Sequence, residues 1–260
     1  MKIINLQREH EKLYFCCLED WSDEIKEAGN HKEQWFEKMR HSGIRVKLAT
    51  DVHGAIGGMI QYMPVEHSFA EGKDSYIILC IWVHGYKEGR GNFQKKGMGS
   101  ALLQAAEEDV KSIGGKGIAA WGIALPFFMK ASWFRKHGYR TVDKDGMIRL
   151  LWKPFNEIAI PPKLIKKKKK PEKITGKVNL SLFINGWCPA QNLVYERAIK
   201  AAQEFGDKVV INEYRTDNRE ILNEWGISDA FFIDNKEVRT GPPPSFEKIR
   251  KKIQKKVKRL

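Results

Sequence analysis

The chain has 260 residues, 42% hydrophobic and 30% charged, which is the ordinary composition of a soluble globular protein with room for two modest domains. Its formal charge of +14 is uneven: residues 1–153 carry 23 basic and 19 acidic side chains, and residues 154–260 carry 23 and 13. No apolar run reaches transmembrane length and the start gives no signal peptide, so membrane partners are not expected and a cytoplasmic protein is.

Taken in order, residues 3–6 read as a short first strand. Residues 9–21 and 32–41 carry apolar positions at helical spacing, one stripe being Leu13, Cys17 and Trp21, the other Trp35, Phe36 and Met39. Residues 44–50 alternate, Asp51-Val52-His53-Gly54 reads as a hairpin turn, and residues 55–63 return. The nearly all-apolar run from Tyr76 to Val83 is expected as a central strand buried on both faces.

Next comes Phe93-Gln94-Lys95-Lys96-Gly97-Met98-Gly99-Ser100, opening a helix to about residue 113. Two glycines two apart, between a buried strand and an amphipathic helix, let a loop expose consecutive N–H groups to an anion at the positive end of the helix dipole. Residues 117–124 form the next strand, and Pro126 breaks the chain before a helix over 128–136. That helix closes on His137-Gly138-Tyr139, a glycine cap followed by an aromatic residue, and a hairpin over 139–142 and 147–152 completes the unit.

The spacing Gln94-x-x-Gly97-x-Gly99 followed by a small residue and Leu102-Leu103, joined to Phe134-x-x-x-Gly138-Tyr139, resembles the Gcn5-related (GNAT) N-acetyltransferases over residues 1–153. The resemblance implies the acyl-CoA N-acyltransferase fold, a mixed central sheet with helices on both faces, and acetyl-CoA as co-substrate. Gln94, Lys95, Lys96, Gly97, Met98, Gly99 and Ser100 would lie on the pyrophosphate, and the backbone of Ile81, Trp82 and Val83 on the pantetheine. It further implies an amine acceptor, either a small molecule or a peptide. The sequence departs from the family at the chemistry. Phe134 stands where many members have a proton-donating Tyr, and Phe127 where an Asn is common, and neither side chain donates a hydrogen bond. His84, just past the central strand, is the best-placed group with a suitable ordinary pKa for a base, and is otherwise a surface loop histidine. Cys80 is read as core packing or, less simply, as an acyl-carrying thiol.

Four cysteines without metal or disulfide spacing, and seven histidines all before residue 138, argue against a metal site. Pro154, Pro161-Pro162, the lysine run 166–170 and Pro171 mark residues 154–177 as an extended, exposed linker. The lysines lack interleaved aromatics, so a solvated connector is preferred to a nucleic-acid site.

Residues 178–260 read as strand, helix to about 205, strand 209–214, helix 219–225, strand 230–233 and a basic terminal helix. Asn185-Gly186-Trp187-Cys188-Pro189-Ala190-Gln191, between the first strand and its helix, resembles a thioredoxin-like domain. Gln191 replaces the second thiol, so an intramolecular disulfide is excluded there. Cys188 is either a thiolate poised by the helix dipole and nearby basic groups such as Lys177, or an inert remnant. The two-domain layout resembles YoaP-type bacterial acetyltransferases. Three classes stay open: an N-acetyltransferase, a catalytically silent CoA-binding or thiol-dependent binding module, and a nucleic-acid adaptor.

Overall fold

The computed structural model describes residues 1–125 and 128–260. The elements run β1 (Lys2–Asn5), α1 (Glu11–Phe15), α2 (Asp23–Lys26), α3 (His31–Met39), β2 (Arg45–Thr50), β3 (Ile56–Pro64), β4 (Ala70–Glu71), β5 (Tyr76–Val83) and α4 (Met98–Ser112). They continue with β6 (Gly117–Ile123), α5 (Ala131–Lys136), β7 (Arg140–Asp145), β8 (Ile148–Pro154) and β9 (Lys163–Leu164). The last group is β10 (Val178–Ile184), α6 (Pro189–Gln203), β11 (Val209–Arg215), α7 (Arg219–Trp225), β12 (Ala230–Ile233), β13 (Lys236–Val238) and α8 (Phe246–Val257). No described helix is long and apolar enough to cross a membrane.

Two compact units result: residues 1–21 with 38–165, and residues 22–37 with 166–260. The division differs from the expected one because residues 22–37 fold into the second unit. The buried Arg197 of α6 explains why: its guanidinium donates to Glu24 Oε1 at 2.7 Å and Glu27 Oε2 at 3.0 Å, on and just after α2. Trp35 of α3 packs on Gly186, where an added Cβ would lie 3.1 Å from the Trp35 Cβ. Residues 154–165 fold into the first unit: β9 pairs with β4, and Ile165 N–H donates to Phe69 O at 3.2 Å. The lysine run begins the second unit and is tied to its surface. Lys167 pairs with Glu237, Lys169 pairs with Glu224 and lies 4.2 Å over the Trp225 ring, and Lys168 N–H donates to Trp225 O. These pairs are exposed and worth little individually.

The first unit is built on a seven-stranded sheet in the order β1-β2-β3-β5-β6-β8-β7, in which β5 and β6 are the one parallel pair and the rest are antiparallel. Every residue of β3 before Pro64 is buried. Leu102, Leu103, Ala106 and Val110 of α4 pack with Ile60, Ile78, Ile118, Ala120 and Phe134 into one core, as the helical spacing in 101–113 requires.

The first predicted helix is shorter and rotated. It ends at Phe15, Cys17 and Leu18 have φ of 52° and 66°, and the buried residues are Tyr14 and Leu18 in place of Leu13, Cys17 and Trp21. The helix expected over 128–136 begins only at Ala131.

The second unit has a four-stranded sheet, order β11-β10-β12-β13, with β10 and β11 parallel and the other pairs antiparallel. All seven residues of β10 are buried. Val178, Leu180, Leu182 and Ile184 face the core shared with α6 and α8, whereas Phe183 joins Trp225 and Phe232 on the opposite side. That alternation makes the strand the middle layer between helices.

Candidate functional site

Helix α4 opens without a side-chain cap, its N-cap Gly97 at φ 81° and Lys95 at φ 62°. The first backbone bond into the helix is Ala101 N–H to Gly97 O at 3.0 Å. The N–H groups of Lys95, Lys96, Gly97, Met98, Gly99 and Ser100 therefore meet no acceptor among the described residues. Buried helix ends satisfy such groups, but here Lys95, Lys96, Gly97 and Ser100 are exposed. The result is a row of donors at the positive end of a 15-residue helix, a concavity suited to an anion. Phe93 anchors the loop from below: it is buried, and a Cβ on Gly57 would lie 2.3 Å from its ring. Lys96 Nζ lies 5.4 Å over the same ring, and Gln94 Nε2 reaches Val83 O at 3.4 Å.

Beside this loop the sheet splits. β5 and β6 pair only over Tyr76–Ile78 and Ile118–Ala120, after which they part. A bulge marks the parting: Gln61 pairs with Cys80 and Tyr62 with Ile78, leaving Leu79 as the extra residue on β5. Leu79 O accepts from Trp121 Nε1 at 2.7 Å, so an indole from β6 spans the place where a backbone bond would have been. From Ile81 to Val83, β5 keeps its pairing to β3 on one edge, while the edge toward β6 carries no strand. A cleft thus opens between β5 and β6, with the α4 donors at one end. The sequence-predicted groups Ile81, Trp82, Val83 and residues 94–100 are brought together around it.

His84 occupies another role than the expected base. Its ring is fully buried, Nδ1 lies 2.8 Å from Gly91 O, and Nε2 lies 2.9 Å from Trp21 Nε1. A carbonyl can only accept and an indole N–H can only donate, so Nδ1 carries the proton and the Nε2 lone pair is already engaged. That geometry serves to pin the loop 84–91 and Trp21 in place. His84→Ala removes the partner of the Trp21 indole N–H and of the Gly91 carbonyl and empties a fully buried ring site, an expected loss of ~2 kcal/mol and of roughly 4–8 °C in the unfolding midpoint of the first unit, measured by thermal denaturation. A midpoint unchanged within 1–2 °C would contradict this reading.

Phe134 is fully buried in the core and has no proton to give, while Phe127 lies outside the described residues. Cys80 is buried, opposite Gln61. Gln61 Oε1 accepts from Tyr14 OH at 2.6 Å, and burial pushes the Tyr14 phenol up, with Cys17 and Cys80 adding to the effect. Ser100 Oγ lies 3.0 Å from His137 Nε2, and His137 Nδ1 lies 2.9 Å from Trp133 O. By the same donor logic the serine hydroxyl donates to Nε2.

The sequence reading missed the rings around the cleft mouth. Trp82 and Phe128 are 5.8 Å apart, Trp121 and Phe128 6.1 Å, Trp82 and Tyr86 6.3 Å, and Tyr86 and Trp21 5.7 Å. The available signal was the clustering of large aromatics at strand ends and in polar loops, where packing alone does not call for them.

In the second unit Cys188 is the N-cap of α6, half-buried and in no disulfide, with Pro189 in the first turn. Lys177 precedes β10 and Cys188 follows it, so a seven-residue strand, about 20 Å long, separates the two. The expected charge from Lys177 is not beside the thiol. A small cleft is lined by Gln191, Tyr195, Phe231 and Thr240, among others. Asp229 holds the loop before Cys188, accepting from Asn185 N–H at 3.0 Å and Ser228 Oγ at 2.8 Å. Burial pushes its carboxyl up to about 6 against these two bonds. Because the folded value lies above the ordinary one near 3.8, the stability linked to this group is full below pH ~4 and falls as pH rises through about 6. Asp229→Asn keeps an oxygen for Asn185, so it is expected to stabilise the second unit by on the order of 1 kcal/mol at pH 7.5 and to flatten its stability between pH 4 and 7. Denaturant titrations at both pH values check the sign.

No described group of three or more His, Cys, Asp and Glu residues is placed to hold a metal ion. No family model and no curated protein sequence matches the chain. Among solved structures it is similar to a GNAT-family acetyltransferase from Staphylococcus aureus Mu50, at 16% identity, covering 60% of this chain and 99% of that one with a TM-score of 0.44. It is also similar to a GNAT-family acetyltransferase from Brucella melitensis in complex with acetyl-CoA, at 13% identity, 62% and 90% coverage and a TM-score of 0.41. A third is the PaiA N-acetyltransferase of Thermoplasma acidophilum in complex with coenzyme A, at 18% identity, 60% and 100% coverage and a TM-score of 0.43.

Proposed function

We propose that the first unit is a GNAT-type N-acetyltransferase, moving the acetyl group of acetyl-CoA to an amine. The observation that carries this reading is the row of unpaired N–H groups over residues 95–100, set beside a cleft where β5 presents one edge without a strand. A pyrophosphate needs several convergent donors and a positive field, and a pantetheine arm carries amides that pair with an exposed strand edge. The chain supplies both in one place. Lys95 and Lys96, both exposed, add positive charge at the phosphate end.

Acetyl-CoA held there supplies a thioester. In the transfer the amine nitrogen forms a bond to the thioester carbonyl carbon, the C–S bond breaks, and the sulfur leaves as the thiolate of coenzyme A. The amine must be neutral when it attacks. With His84 engaged and Phe134 apolar, the proton released from nitrogen passes to solvent and the thiolate is protonated from there. The residues of this chain therefore contribute by binding and orienting, which alone supplies a large share of the barrier reduction.

We further read residues 178–260 as a thioredoxin-like domain. The strand-helix-strand-helix-strand-strand-helix order around the buried β10, with Cys188 capping α6, supports this. Its single thiol suits binding or monothiol chemistry and not dithiol exchange.

The test is thiol release from acetyl-CoA, followed with a chromogenic disulfide, against a panel of amines on the full chain. Release that rises with one class of amine supports the enzyme. Calorimetric binding of CoA with no amine-dependent release would leave a CoA-binding module, and the absence of CoA binding would refute both.

A further inference from the structure

The rings at the cleft mouth form a continuous row, Trp21, Tyr86, Trp82 and Phe128, each next pair 5.7–6.3 Å apart and tilted by 47–67°. None of these pairs is stacked in parallel. Neighbouring rings tilted in this way leave part of their π faces to solvent, and an exposed π face attracts an organic ammonium. Tyr86 and Phe128 are 45% and 40% exposed and Trp21 is 38% exposed, so the row is open to solvent.

Two further observations bear on what it holds. Elsewhere among the described residues a lysine of the chain lies over the faces of Phe93, Phe155, Tyr139, Phe232, Trp225 and Phe246. No described lysine or arginine lies over Trp21, Trp82, Tyr86 or Phe128. The Glu19 carboxylate is close enough to Tyr86 to add, after burial, to the rise of its phenol, and Arg90 is engaged by Asp20 at 3.1 Å and Ile56 O at 3.0 Å. The row is also held rigid, because Trp21 donates to the buried His84 and packs on Gly89, where a Cβ would fall 2.0 Å from the indole.

We propose that this aromatic row binds an alkylammonium group, and that the acetyl acceptor is an amine bearing a second, persistent positive charge. The second statement rests on the acetyltransferase reading, the first does not. An attacking amine has to be neutral, so the cation held on the rings is a different nitrogen of the same molecule. Trp82 lies on β5 at the cleft, so a cation on the rings places the rest of the acceptor at the β5–β6 opening.

Choline and its uncharged isostere 3,3-dimethylbutan-1-ol separate charge from shape. Titrated into the full chain, choline is expected to bind in the millimolar range and to change tryptophan fluorescence, with the isostere at least tenfold weaker. Tyr86→Ser and Phe128→Ser, at exposed positions, are expected to weaken choline about tenfold while leaving CoA affinity within twofold. In turnover, 1,5-diaminopentane should exceed pentylamine in kcat/KM by about tenfold, a preference lost in both variants. Equal binding of choline and the isostere, or binding of neither by protein that still takes up CoA, would overturn the cation site. Choline binding without CoA binding would uphold the cation site and defeat the acetyltransferase reading. Equal turnover of the two amines, with choline still bound, would overturn the assignment of the acceptor.

Discussion

Gly97→Val is expected to abolish measurable CoA binding, whereas Gly99→Ala, two residues on, is expected to leave affinity within about threefold. Gly97 sits at φ 81° with nothing within 4 Å of an added Cβ, so the obstacle is conformational and not spatial. Forcing a β-branched L-residue into the left-handed region costs roughly 1–2 kcal/mol or more, and the chain escapes that cost by rotating the peptide that aims the loop N–H groups. Each charge-assisted donor lost to a phosphate is worth about 1.5–3 kcal/mol, so losing two weakens binding on the order of 100-fold or more. Gly99 differs: its added Cβ would meet Trp133 Cζ2 at 3.5 Å and Val83 Cγ2 at 3.8 Å, ordinary contacts, and its φ is not left-handed. Calorimetry with CoA on both variants, after confirming an unchanged unfolding midpoint, tests the loop. Wild-type affinity in Gly97→Val would show that the phosphate lies elsewhere.

Asp109→Asn is expected to have the largest effect on stability. The Asp109 carboxylate, on α4, accepts from Tyr62 OH at 2.6 Å, from Nε and Nη2 of Arg45, and from Lys47 Nζ at 3.2 Å, tying the helix to β2 and β3. Burial alone would raise its pKa, but the hydrogen bonds from Arg45 and Tyr62 and the charges of Lys47 and Arg45 outweigh this and hold it at about 2. Neutralising it leaves Lys47, only 12% exposed, without its anion. The expected cost at pH 7 is about 3 kcal/mol, or roughly 6–12 °C in midpoint. The pH dependence has a definite sign. A carboxyl held below its ordinary value stabilises the fold above pH ~4, and that contribution is lost as pH falls through about 2. The wild-type chain should therefore lose stability between pH 4 and 2 more steeply than Asp109→Asn. Equal acid sensitivity of the two would remove Asp109 from this role. Because the N-terminus of α4 also carries the N–H groups proposed to hold the phosphates, a shift of this anchor is expected to weaken CoA binding as well as the fold.

Local signals in the chain were sufficient for several elements. The apolar run Tyr76–Val83 became a central strand, the glycine-punctuated stretch before Ala101 became an uncapped helix start, and Gly138 closed α5 with Tyr139 N–H returning to Phe134 O at 3.2 Å. Each depends on contacts within a few residues or on burial of a whole segment, and both are written in composition and spacing. The second unit's strand and helix order was legible for the same reason, apart from the three-residue β13, which the sequence reading did not include.

What tertiary structure alone decided has a common cause, a partner far away in sequence. Residues 22–37 join the second unit because Glu24 and Glu27 meet Arg197, some 170 residues on. His84 looked like a base because its sequence neighbours leave it unpartnered; Trp21 and Gly91 engage both nitrogens. The bulge at Leu79 arises from a register shift between β3 and β5, and no property of Leu79 itself announces it. The aromatic row gathers Trp21, the neighbouring pair Trp82 and Tyr86, and Phe128 from three segments that only the folded sheet brings together. Helical and strand periodicities are local and survive in a one-dimensional reading, whereas hydrogen-bond partners and ring contacts between distant segments depend on how the chain closes on itself.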